Sequence, residues 1–168
     1  LSPDFSWACS DITSLKNEYN LKKYILLFPF CSPHLTIKRW PYYNEISNKI
    51  KDKFKDEFKI TVAPGPEEIK EASSINAECI LDNGKSLNIS QLASLIKDST
   101  FVISNDTGPA HITAHLDVKG LALFGPHKPA KLVSIEREKF RAIQVEDLSK
   151  LSAEKVFERM LELLAQKN

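Results

Sequence analysis

A chain of 168 residues, 42% of them hydrophobic, is long enough for one domain with a substantial core. Its 23 basic and 22 acidic residues leave a formal charge of +1, so no basic field points to nucleic acid. No apolar run approaches the roughly 20 residues of a membrane span. The three cysteines, Cys9, Cys31 and Cys79, form no CxxC pair, which argues against a disulfide framework or zinc knuckle and for a reducing cytoplasm. The N-terminal Leu1-Ser2-Pro3-Asp4 lacks the basic-then-apolar pattern of a signal peptide. The absence of Met at position 1 leads to the expectation that the chain is part of a longer protein.

Residues 1–23 are weakly periodic and read as a linker or edge segment with one short helix near Ile12–Tyr19. Residues 24–168 read as the domain proper. Tyr24–Phe28 is a continuous apolar run ending at Pro29, the pattern of a central parallel strand. A polar loop from Phe30 to Arg39 follows, then a helix starting near Trp40-Pro41 whose stripe is Tyr43, Ile46, Ile50 and Phe54. Acidic residues interrupt the lysines from Lys49 to Lys59, so the other face is a solvated surface rather than a membrane-binding one.

Lys59–Ala63 is the next strand, stopped by Pro64-Gly65-Pro66, and Glu67-Glu68-Ile69-Lys70 opens a short helix with acids in its first turn. Cys79-Ile80-Leu81 is a weak third strand, and Asn83-Gly84 turns the chain. Ser90 is the expected cap of a helix carrying Leu92, Leu95 and Ile96. Phe101–Ser104 is a fourth strand, Lys119–Phe124 a fifth and Phe140–Val145 a sixth. A final helix starts at Ser152, with Val156, Phe157, Met160, Leu161 and Leu164 as its apolar face. Strands alternating with helices imply an α/β domain: a Rossmann-like parallel sheet with helices on both faces. Ligands of such sheets sit at the carboxyl ends of the strands, near the switch point.

The stretch Ser104-Asn105-Asp106-Thr107-Gly108-Pro109-Ala110-His111 joins the fourth strand to the next helix. Pro109 suits the first helical position, and Thr107 or Asp106 offers a capping oxygen. Gly108 lets a ligand approach the backbone. A strand, a polar turn and a helix start make an anion-binding corner, although a capped turn with no ligand reads equally well on spacing alone.

Asn-Asp-Thr-Gly-Pro-x-His, followed by Gly120-Leu121-Ala122-Leu123-Phe124-Gly125-Pro126, resembles glycosyltransferase family 9, the ADP-heptose:lipopolysaccharide heptosyltransferases. The resemblance runs from about Tyr24 to Pro129. It implies the C-terminal, donor-binding half of a two-domain GT-B enzyme, with the acceptor and the catalytic base belonging to a first domain absent from this chain. The implied reaction is transfer of heptose from ADP-heptose to the lipopolysaccharide inner core, with ADP leaving. The implied setting is the cytoplasm, with at most peripheral association at the inner face of the inner membrane. The implied donor-site residues are Ser32, Lys38, Glu67, Asp106, Thr107, Gly108 and His111, with Lys38 and His111 stabilising the leaving group. Lys38 matches the phosphate-contacting lysine within Lys38-Arg39-Trp40-Pro41, and Glu67 matches the nucleoside-contacting Glu of a Gly-Gly-Pro-Glu loop. The chain departs from the pattern at Phe30 and Pro64, where the family has Gly, and at His127, where it often has Thr.

No cofactor or metal is expected. No Asp-x-Asp motif is present, and His111 and His115, four apart, have Ile112 where a zinc site of the H-E-x-x-H kind has Glu. Asn83-Gly84-Lys85-Ser86 resembles the end of a P-loop, but the loop's first Gly would fall at Cys79. Nothing places an activating base beside Cys31 or Cys79. Two other functions remain open: a non-catalytic nucleotide-sugar binding module, and a GT-B sugar-nucleotide epimerase. As a fragment, the chain is expected to fold without transferring sugar.

Overall fold

A computed structural model describes residues 9–31, 39–126 and 135–167. In chain order, the helices are α1 (Thr13–Tyr19), α2 (Tyr43–Phe54), α3 (Ile69–Ala72), α4 (Ile89–Asp98), α5 (Gly108–His115) and α6 (Ala153–Ala165). The strands are β1 (Tyr24–Phe28), β2 (Lys59–Val62), β3 (Glu78–Cys79), β4 (Phe101–Asn105), β5 (Gly120–Phe124) and β6 (Phe140–Gln144). They form one parallel sheet of order β3-β2-β1-β4-β5-β6. The order reverses between β1 and β4, where Ile25 lies beside Phe101 and Phe28 beside Ser104. Crevices at such reversals are where ligands bind in open α/β sheets.

Alternation along each strand builds two cores. Ile25 and Leu27, Phe101 and Ile103, and Leu121 and Leu123 face α2 and α6, against Ile46, Ile50, Val156 and Met160. Tyr24, Leu26, Phe28 and Val102 face the opposite way, against α1 and α4. Beside them, Ala122 and Phe124 meet Ala110 and Ala114 of α5. Both faces of β1, β4 and β5 are covered, so all five residues of each are buried. That explains their unbroken apolar runs. Gly120 is required at the start of β5, because a Cβ there would stand 2.4 Å from the Val102 carbonyl oxygen.

Several local expectations are corrected. The cap of α4 is Asn88, not Ser90: the Asn88 side chain accepts from Gln91 N–H and the Gln91 side chain accepts from Asn88 N–H, a reciprocal box. Helix α2 begins at Tyr43, with Tyr42 as its N-cap residue, two residues after Trp40-Pro41. Strand β3 is Glu78–Cys79, with Ile80 already a loop residue bonded to the Val62 carbonyl. In α6 the buried stripe is Ala153, Val156, Met160 and Leu163, so Leu163 replaces Leu161. Ser152 caps α6 as its position suggests, accepting from Lys155 N–H.

Candidate functional site at the switch point

The carboxyl ends of β1, β2 and β4 enclose a cavity of about 400 Å³. Its apolar side is Phe28, Ala63, Leu87 and Leu92. Its polar side is Glu68 from the loop after β2 and Asp106, Thr107 and Gly108 from the turn after β4. An apolar slot beside a few convergent polar groups is the usual make-up of a small-molecule site.

The turn after β4 feeds directly into α5, whose first residue is Gly108, so Pro109 holds the second helical position rather than the first. Thr107 is the N-cap residue but makes no side-chain cap bond. Its hydroxyl instead lies 3.4 Å from that of Ser104 and 3.5 Å from the Asn105 carbonyl oxygen, turned back toward the strand. The first-turn N–H groups of a helix have no intrahelical partner. In α5 Pro109 has no N–H and the Ala110 N–H bonds to the Thr107 carbonyl at 3.1 Å, so the Gly108 N–H is the first-turn donor that no side chain among the described residues meets, and the positive end of the helix dipole points at the cavity. Outside its own helix and chain neighbours, a Cβ on Gly108 would meet no atom of the described residues within 4 Å. Packing among the described residues therefore does not explain a glycine there.

In the loop after β2 the two glutamates part. The Glu68 carboxylate accepts the Gly65 N–H at 2.9 Å and lines the cavity, while Glu67 is exposed and outside its lining. The hydrogen bond folds Glu68 back over its own loop, so position in the turn, rather than order in the motif, decides which acid reaches the site. His111 lies on α5, exposed and likewise outside the lining. His115, a turn further on, is half-buried; desolvation, then Arg137 and His111, lower its pKa. Among the described residues, no group of three metal-ligating side chains forms. Ser32, Lys38 and His127 lie outside the described residues. The structure thus brings Asp106, Thr107 and Gly108 together at one cavity.

Two further residues hold this region together. Arg39 pairs with Glu71, tying the segment before α2 to α3; the pairing strengthens the hold on its proton and outweighs the cost of burial. Asn105, fully buried at the end of β4, bonds to both sides of the loop after β1. A buried amide between two strand ends leaves no periodic signal, so only its place in the motif pointed to it.

The family model of glycosyltransferase family 9 (heptosyltransferase) matches residues 2–161. Over 99 residues, the chain is 30% identical to lipooligosaccharide heptosyltransferase 2 of Haemophilus influenzae, a match covering 55% of this chain and 28% of that protein. Among solved structures, the ADP-heptose lps heptosyltransferase II of E. coli superposes with a TM-score of 0.73 at 19% identity, over 90% of this chain and 50% of that one. A UDP-GlcNAc 2-epimerase of Methanocaldococcus jannaschii shares the fold at a TM-score of 0.62 and 14% identity, over 92% of this chain and 42% of that one. The chain therefore spans at most half the length of these relatives.

Proposed function

The chain belongs to glycosyltransferase family 9, the heptosyltransferases, and from that premise we propose that it is the nucleotide-sugar-binding half of a GT-B enzyme that moves heptose from ADP-heptose to the lipopolysaccharide inner core. One observation carries the reading: the start of α5, where Thr107 makes no side-chain cap bond and space lies open over Gly108, faces the switch-point cavity. That corner takes the diphosphate, where N–H groups and the helix dipole meet the charge that grows as ADP leaves. Lys38 and His111 add to that stabilisation, and Ser32 contributes a hydroxyl. The slot of Leu87 and Leu92 takes the base. Glu68, with its neighbour Glu67 further out, takes the ribose hydroxyls, as carboxylates after strands do in dinucleotide folds. The acceptor and the catalytic base come from the other half of the enzyme, so this chain alone transfers no sugar. The binding needs no metal, because N–H groups and cations supply the countercharge. The setting is cytoplasmic, with at most peripheral contact at the inner membrane; among the described residues no helix is long and apolar enough to cross one.

The test is calorimetric titration of the chain with ADP and with UDP, each in EDTA and in magnesium. Metal-independent binding of ADP in preference to UDP is expected. A preference for UDP would turn the reading toward an epimerase-like site. A strict magnesium requirement would remove the metal-independent diphosphate corner and bring back the His111–His115 pair.

A further inference from the structure

Asn105 is the last residue of β4 and has no exposed surface. Its side-chain amide makes three hydrogen bonds, all to segments remote in sequence. Nδ2 donates to the Pro29 carbonyl at 2.9 Å, just past the end of β1. Oδ1 accepts the Tyr43 hydroxyl at 3.0 Å and the Trp40 N–H at 3.3 Å, at the entry to α2. The three partners fix the orientation of the amide, because a carbonyl needs the NH₂ end and two donors need the oxygen end. Pro29 and Trp40 stand on either side of the loop after β1, and Asp106, the next residue in the chain, lines the cavity. One side chain therefore holds both ends of the β1 loop in register with the turn that starts α5.

We propose that Asn105 is a positioning residue for the diphosphate end of the nucleotide site: its amide clamps the β4–α5 turn to Pro29 at the end of β1 and to Trp40 and Tyr43 at the entry to α2, so that the Asp106–Gly108 backbone lining the cavity keeps its place toward the anion. The inference rests on the donor-site reading above and deepens it. Asn105 touches no ligand itself; it acts by geometry. The clamp needs a donor toward Pro29 and an acceptor toward Trp40 and Tyr43. Asp at this position has the same shape, and fills both roles only when protonated. As a carboxylate it sets oxygen against the Pro29 carbonyl oxygen.

The experiment is titration of ADP and of adenosine into the wild-type chain, Asn105→Asp and Tyr43→Phe at pH 5.5 and pH 8.5. Circular dichroism at the titration temperature verifies folding. Tyr43, with Arg39 and Cys31 acting on it, and Asp106 beside it are the titratable groups around the amide; the wild-type titrations at the same two pH values cancel their contribution and that of ADP itself. For Asn105→Asp the expected ADP affinity, relative to wild type, is near unchanged at pH 5.5 and at least tenfold weaker at pH 8.5. Adenosine affinity stays within a factor of about two at both pH values, because the base slot lies on the other side of the cavity. Tyr43→Phe, which removes one of two donors to Oδ1, loses a smaller factor for ADP only. A merely structural amide would lower the melting temperature of the variants while leaving the ADP-to-adenosine ratio as in wild type, and that result overturns the proposal. Wild type that binds adenosine but gains nothing from the diphosphate overturns the donor-site reading, and the clamp with it. Should Asn105→Asp fail to fold at pH 8.5, Tyr43→Phe decides: equal ADP and adenosine losses, or none, overturn the clamp.

Discussion

The indole Nε1–H of Trp40 donates to the carbonyl of Leu151 at 2.7 Å, joining the entry of α2 to the entry of α6 on one face of the sheet. Trp40 is 1% exposed and packs edge-on against Tyr43 at 5.1 Å and Tyr42 at 5.9 Å. Trp40→Phe keeps an aromatic ring but strands a buried carbonyl, which costs about 1–3 kcal/mol, with a further contribution from lost volume. Urea unfolding should show that loss with an unchanged slope. A variant as stable as wild type would mean that water reaches the Leu151 carbonyl.

Gly108→Ala separates folding from binding. The position has room within the chain and opens a helix, where Ala exceeds Gly by up to about 1 kcal/mol. Stability should stay level or rise. ADP affinity should fall at least tenfold, because the added methyl stands where the diphosphate approaches. Full ADP affinity in calorimetry would show that the ligand does not pass over Gly108.

The two glutamates of the loop after β2 should behave differently. Losing a hydrogen bond to a charged group costs about 1.5–3 kcal/mol, roughly tenfold to over a hundredfold in affinity. Glu68→Gln should show a loss of that order for ADP, reduced for a dideoxyribose analogue lacking both hydroxyls. Glu67→Gln should change affinity by less than a factor of about two, in line with an exposed acid near a helix start. The reverse pattern would return the ribose to Glu67, as the motif order implies.

Lys38→Ala should weaken ADP much more than AMP without unfolding the chain. A direct partner of the distal phosphate is worth about 1.5–3 kcal/mol, whereas a remote surface cation adds a few tenths, screened by salt. Titration of both nucleotides at two salt concentrations distinguishes the cases. Equal, small losses would make Lys38 a bystander.

Alkaline stability should depend on Tyr24. Burial pushes its phenol far above the ordinary value, with Asp98 adding to the effect, and its hydroxyl donates to the Leu95 carbonyl in the last turn of α4. The folded state holds this proton more tightly than the unfolded chain does. The stabilisation is therefore complete below the unfolded phenol's pKa of about 10 and declines as pH rises above it. Tyr24→Phe should be less stable at pH 7, by about 1–3 kcal/mol for the stranded carbonyl, and should lose less on going from pH 9 to pH 11. Thermal melts across that range measure both effects; parallel pH profiles would refute the assignment.

What the residues revealed in advance follows from how far each signal reaches. The strands were legible because burial on both faces demands unbroken runs such as Tyr24–Phe28 and Phe101–Ile103. Their parallel arrangement followed from the helices between them. The caps were less legible: Asn88, Ser90 and Gln91 all bear capping groups, and only the turn geometry selects the Asn88–Gln91 pair. Glu67 and Glu68 likewise differ by one step of a turn that no motif specifies. Asn105 was quoted in the motif without a role, because its partners Pro29, Trp40 and Tyr43 are brought to it only by the sheet order.

That sheet order also dictates when the cavity comes into being as the chain is made. β1 and β4 are neighbours in space, yet all of α2, β2, α3, β3 and α4 separate them along the chain. A nascent chain that has delivered Glu68, Leu87 and Leu92 owns one wall of the crevice and nothing of the Asp106–Gly108 turn. Early pairing of β1 with β2 is comparatively local, whereas β4 must close a long loop before its contacts stabilise anything. The Asp106–Gly108 turn is thus the late arrival, and the cavity exists only once β4 has docked beside β1.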